Sequence, residues 1–151
     1  MEITMVSKRY HLLGASLIAL IIICFASTHT FAENQEIKAP PENSPYYTLI
    51  ESLKLIKAEA YDDWISKWCS KNELCFNETS IASLKKYNLP AINRLAPDCL
   101  KGEAKDYIIV TRIDGDPEKD AKLQIFIQCK AEGMPKPFRL INESGWKIYG
   151  L

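Results

Sequence analysis

The sequence predicts an exported α+β domain, with amphipathic N-terminal helices packed on a curved, cone-like antiparallel sheet of about four strands. Three observations predict it. A charge-free apolar run near the start ends in a small-residue site. Between Tyr46 and Trp68, apolar residues recur at three- and four-residue steps, one face of a helix. From Lys105 onward the period changes to two, with β-branched and aromatic residues dominant.

The export signal comes first. Lys8 and Arg9 form a basic start, "LLGASLIALIIICFA" (Leu12–Ala26) is the apolar middle, and Thr30 and Ala32 stand at the −3 and −1 positions of a peptidase site. Cleavage after Ala32 delivers a periplasmic or secreted protein with no stable membrane insertion. The alternative is an uncleaved anchor, for which the run is short against a span of ~20 residues. A lipid anchor at Cys24 would need a small residue where Ile23 stands. Removing Lys8, Arg9 and Glu2 with the signal leaves 17 basic and 18 acidic residues from 19 and 19, a net charge of −1. No basic patch of the kind nucleic acid requires is present in the pattern.

Both histidines, His11 and His29, fall in the signal. The mature sequence therefore holds no Ser-His or Cys-His nucleophile pair and no imidazole ligand or pH switch. Four cysteines remain: Cys69, Cys75, Cys99 and Cys129. An even number in an exported domain reads as two disulfides. A four-cysteine zinc site is the competing reading, but five, 23 and 29 intervening residues do not give paired C-x₂-C knuckles. No cofactor is implied.

Residues 33–43, "ENQEIKAPPEN", are polar and Pro-rich and read as a disordered tether, so the domain is expected over 44–151. Ser44 is a good N-cap, and Pro45 sits at the first helical position, where its missing N–H costs nothing. The helix that follows either runs unbroken to Trp68 or bends near "AEAYDD". "CSKNELCF" (Cys69–Phe76) is a short connection whose end reads as a brief strand. Asn77-Glu78-Thr79 matches a glycosylation acceptor but reads better as the cap of a second, weaker helix that Pro90 ends. "PAINRLAPDCLKG" (Pro90–Gly102) is a further helical or turn segment.

"DYIIVTRI" and "KLQIFIQC" are strands by content and alternation. Pairing Ile113 with Leu123 puts Tyr107, Ile109, Ile113, Leu123, Ile125, Ile127 and Cys129 on one core face. Cys129 then points at the helical layer, with Cys99 as its partner, which leaves Cys69 and Cys75 to pair locally. Spacing alone leaves all three connectivities open. The loop between the strands, "DGDPEKDA", carries Asp114, Asp116, Glu118 and Asp120. A calcium loop of the EF-hand type needs Gly and Glu where Lys119 and Ile125 stand, so a solvated hairpin loop is expected. The chain closes on "FRLINESGWKIYGL" (Phe138–Leu151). With Asn142–Ser144 as the loop, Leu140 lies opposite Trp146 and Phe138 opposite Ile148, all four on one face, and Gly145 supplies a positive φ.

This order of elements, with "KAEAYDDWISKW" (Lys57–Trp68) among the first helices and the closing "W-K-I" hairpin, resembles the nuclear-transport-factor-2-like superfamily, the cystatin-like cone fold. Within it the chain looks most like small exported bacterial domains. The resemblance covers residues 44–151, and its specific part is the last hairpin. It implies a curved sheet wrapped on helices and leaves function open, since the fold hosts enzymes, carriers and binding modules. Its enzymatic members place Asp, His or Tyr in the cone, and no Asp here matches such a position.

Three functional readings follow. The first is a non-catalytic module that binds a protein in the envelope, such as an inhibitor or immunity protein against a toxin or hydrolase. Its contacts would be Asp114, Asp116, Glu118, Asp120 and the segment around Met134. The second is a carrier of a small apolar ligand, with Trp64, Trp68, Tyr107 and Trp146 lining the cone. The third is acid–base chemistry at Asp62 and Asp63, which as consecutive helical residues cannot both face inward. The first reading is preferred, because the sequence offers no nucleophile–base pair, metal set or phosphate loop.

Overall fold

The computed structural model describes residues 34–151. The expected export signal, with Cys24, His11 and His29, lies outside them. The expected tether is corrected at once. Within it, β1 (Gln35–Lys38) pairs antiparallel with β2 (Tyr107–Asp114) and sets Ile37 opposite Ile108. One apolar residue among polar neighbours shows no period in the sequence. It becomes a strand because β2 offers an open ladder and the core takes up Ile37. The sheet therefore has five strands, not four, in the order β1-β2-β3-β4-β5, with β3 at Lys122–Ile127, β4 at Lys136–Asn142 and β5 at Trp146–Gly150. Every neighbouring pair is antiparallel.

The helical layer begins with α1 (Pro45–Lys57), capped by Ser44 Oγ, which accepts from Tyr47 N at 3.2 Å. Leu49, Ile50, Leu53 and Ile56 form its buried stripe. The helix breaks at Glu59, which takes φ 57°, and α2 (Tyr61–Lys67) starts afresh. Of the two readings offered by the sequence, the bend near Ala60 is therefore the one realised. The connection ending in "ELCF" forms turns rather than a strand. Asn77 Oδ1 accepts from Ser80 N and caps α3 (Glu78–Ser83), as expected.

Pro90 does not end this helical run. A π-helical turn, Leu84–Asn88, precedes α4 (Leu89–Asn93), and Leu89 N bonds back to Leu84 O, five residues earlier. The widened turn accommodates the proline ring, which in a regular α-helix would strike the carbonyl four residues before it. A last short helix, α5 (Ala96–Cys99), leads to β2.

One sheet face is buried under these helices. Leu123, Ile125 and Ile127 occupy it, as read from the sequence, but β2 differs. Its core residues are Ile108 and Val110, while Tyr107 and Ile109 turn to the other face. A bulge between Val110 and Arg112 inverts the alternation, so that Ile113 pairs with Ile125 rather than Leu123. Thr111 sits at the bulge and donates its hydroxyl to Phe126 O at 3.2 Å. The closing hairpin is also offset by two residues. Leu140 pairs with Ile148 and Asn142 with Trp146, so the loop is Glu143–Gly145. A shift of two keeps parity, and Phe138, Leu140, Trp146 and Ile148 all remain in the core. Gly145 takes φ 126°, and Ser144 before it φ 57°.

Two disulfides tie the layers. Cys99–Cys129 joins the end of α5 to the residues after β3, and Cys69–Cys75 closes the short loop after α2. This pairing places the domain in an oxidising, non-cytoplasmic setting. Cys69 also lies beside β5. Ile148 N donates to Trp68 O at 2.6 Å and Ser70 N to Ile148 O at 2.9 Å, adding a one-residue parallel bridge outside the last strand. Glu143, in the hairpin loop, accepts from Ser70 Oγ and Asn72 Nδ2. The chain's closing hairpin is thus clasped on its outer edge.

Loop-closure entropy ranks the two bridges. For sequence separations of 30 and 6, replacing Cys99 and Cys129 by Ser should cost roughly 3–4 kcal/mol, and replacing Cys69 and Cys75 roughly 2 kcal/mol. Urea unfolding of the two double variants checks the order. Ile148→Ala, at a fully buried position bonded on both flanks, should cost about 2–5 kcal/mol by the same measurement.

Candidate functional site

The residues expected to line a ligand cavity do not come together around one. Trp64, on α2, is 0 % exposed and Trp146 is also buried, both as parts of the core. Trp68 is half-buried at the β5 edge, its ring edge-on to Tyr47. Tyr107 lies on the outer sheet face, beneath Lys38 Nζ at 4.7 Å from the ring centroid. The indole Nε1 of Trp64 and of Trp68 is buried with no hydrogen-bond partner. Asp62 and Asp63 are both exposed, and Asp62 is bound by Lys85 at 2.7 Å.

The acidic loop is held by its own atoms. Asp114 pairs with Arg112 at 3.0 Å and Asp116 with Lys119 at 2.7 Å. Asp116 Oδ1 accepts from Glu118 N, and Asp120 Oδ2 accepts from Asp116 N. These oxygens serve the turn, and among the described residues no group of three or more His, Cys, Asp or Glu could hold a metal ion. The hydrogen bond from Lys119, then that from Glu118 N, holds the Asp116 carboxyl below its ordinary value. Met134, in the loop before β4, is 95 % exposed.

A better-formed feature lies elsewhere. The Cys69–Cys75 loop is fastened from within: Ser70 O accepts from Leu74 N and Cys75 N, and Ser70 Oγ accepts from Glu73 N. The chain leaves this closed turn at Phe76 and enters α3 at its cap, Asn77. Phe76 thus stands at the position of a hydrophobic staple, whose usual partner four residues into the helix is Ile81. Ile81 packs toward the core, yet Phe76 is 62 % exposed. Between this loop and the helix is a groove of about 450 Å³, lined by Leu74, Phe76, Ser80, Ser83, Leu84 and Asn88 among others. Tyr87, 61 % exposed, lies one turn beyond Ser83 on the π-helical segment.

The chemistry available there is that of contact. Leu74, Phe76 and Leu84 offer apolar surface, and the Ser hydroxyls and Asn88 amide offer directed hydrogen bonds. The one carboxylate in the lining, Glu73, is engaged by Lys122 Nζ at 2.7 Å and holds that ammonium above its ordinary pKa. Sequence reasoning missed Phe76, Tyr87 and the groove. The signal available was an aromatic residue wedged between a disulfide cysteine and a helix cap, where the staple rule predicts burial. A second groove, of about 260 Å³, is lined by Lys54, Lys57, Ala58, Leu100, Ala104 and Lys105.

No family model, no curated protein and no solved structure matches this chain.

The Asp116 carboxyl should titrate below the ordinary range of a free aspartate when followed by NMR. A depressed carboxyl contributes its loop contacts fully above the unfolded value and loses them as pH falls through the folded one. Because the carboxyl is open to solvent and its contacts are within one surface loop, Asp116→Asn should leave the melting temperature at pH 7 nearly unchanged while removing that acid-side titration.

Proposed function

We propose that this chain is a non-catalytic protein-binding module of the exported compartment, periplasmic or secreted after cleavage at Ala32. The class it fits is an inhibitor or immunity protein that neutralises an envelope-acting toxin or hydrolase. The observation that carries the reading is Phe76, held exposed at the mouth of a groove by a loop that a disulfide and three hydrogen bonds to Ser70 fix in place. A large aromatic side chain on a rigid mount binds with little loss of conformational entropy, which is the character of an interface anchor. The two disulfides support the oxidising compartment. The order of helices before an antiparallel meander supports the cone-like resemblance as a reading of the fold, and the space between helices and sheet is filled by Trp64, Phe138 and the aliphatic residues around them.

The test is affinity capture from a periplasmic fraction with the purified protein as bait. A stoichiometric protein partner is expected. Phe76→Ser should weaken its retention by at least ~10-fold, with a melting temperature close to that of the parent. Recovery of a bound small molecule and no protein would overturn the reading, and retention unaffected by Phe76→Ser would remove the groove from it.

A further inference from the structure

The sheet face turned away from the helices has a composition of its own. Pairing and burial place Tyr107, Ile109 and Arg112 of β2, Lys122, Gln124 and Phe126 of β3, Pro137, Arg139 and Ile141 of β4, and Lys147 and Tyr149 of β5 outward. Its cations are laid flat. The Arg112 guanidinium sits 3.8 Å from the centroid of the Phe126 ring, and Lys122 Nζ 5.0 Å from that of Tyr149. The Arg139 stem lies across Gly150, where an added Cβ would meet its Cδ at 2.9 Å. Glycine at 150 is therefore what lets that side chain cross the last strand.

Arginine and aromatic residues are enriched at protein interfaces, whereas lysine and the acidic residues are depleted. With Lys38 of β1 the face carries four cations, Lys38, Arg112, Lys122 and Arg139, because the Lys147 ammonium turns aside to Lys67 O and the Trp68 ring at the β5 edge. Three carboxylates reach it, Glu36, Asp114 and Glu73, each already bound to one of those cations. Among the described residues, Arg139 has no carboxylate within ion-pairing distance. An excess of one positive charge, on Arg139 and interleaved with Ile109, Pro137 and Ile141, is too small for a polyanion bound by counterion release. It suits a protein surface of mixed apolar and acidic character.

We infer that the outer sheet face around Gln124, which is paired with Arg139 on one side and with Asp114, the ion-pair partner of Arg112, on the other, is a second docking surface, for a protein segment bearing carboxylates. The inference rests on the reading of this chain as an exported protein binder, but not on the groove at Phe76. Stacking holds the guanidinium of Arg112 in place before contact, so less side-chain freedom is lost on binding. A carboxylate pair from the partner would meet Arg139 and the outer edge of Arg112.

The experiment places a photo-crosslinking amino acid at Gln124, or separately at Phe76, in the full-length chain expressed in cells. A discrete crosslinked protein is expected from Gln124. Its yield should fall at least ~10-fold in an Arg112→Glu, Arg139→Glu background, with an unchanged circular-dichroism melt. If charge reversal unfolds the domain, Arg112→Gln with Arg139→Gln should still lower the yield several-fold while Arg112→Lys with Arg139→Lys retains more of it. Mass spectrometry of the crosslink should identify a segment rich in Asp and Glu. A Gln124 crosslink indifferent to charge, one to a neutral or basic segment, or one to a protease-resistant glycan overturns the inference. A crosslink from Phe76 alone overturns it and leaves the proposed function standing, whereas none from either position sinks both.

Discussion

The structure depends on how a helical layer made of short pieces is kept on its sheet. Only α1, at 13 residues, approaches the length at which a helix has any stability of its own. The remaining helices have seven residues or fewer. They persist because burying the sheet's inner row, from Ile108 through Leu123, Ile125 and Phe138 to Ile148, requires something apolar above it. The covalent ties stand where that cover would most easily lift. Cys99–Cys129 fixes the end of the helical run near the middle of the sheet, and Cys69–Cys75 fixes the turn that touches its last strand. Lys101 strengthens the first of these by donating to the carbonyls of Asp98 and Cys129, on both sides of the bridge.

Much of this was legible in the sequence, and the parts that were not have physical causes. The amphipathic stripe of α1, the Ser44 and Asn77 caps, the strands and the inward face of the closing hairpin all follow from local chemistry that a single chain displays. The phase of β2 does not. "YIIV" is apolar at every position, so either alternation fits, and the bulge at Thr111 decides between them through one hydroxyl bond to a carbonyl on the next strand. The two-residue offset of the last hairpin is invisible for a related reason, since parity, which burial selects, is the same in both registers. β1 is illegible because its single buried residue, Ile37, gains its meaning from Ile108, 71 positions away.

The candidate site was less legible still. Acidic residues and aromatic stripes attract notice in a sequence, yet Asp114, Asp116 and Asp120 spend their oxygens on their own loop and Arg112, while Trp64 and Trp146 fill the core. Phe76 drew no notice because its neighbourhood predicts burial. Its exposure depends on Ile81 packing inward and on a closed loop that aims the chain outward, and both are tertiary facts. The two sheet faces make a similar contrast: the inner one is used up by packing, and the accessible surface is that of the rim and the outer face.

The clasp on β5 has one more consequence. A final strand with bare N–H and C=O groups is a template onto which another chain can add, and exported proteins cross a stage in which many unfolded copies are close together. Here the bonds from Ile148 to Trp68 and Ser70 occupy the middle of that template, and the adjoining loop is closed by Cys69–Cys75. The neighbouring segment thus leaves fewer open backbone groups on this edge than a bare last strand would present.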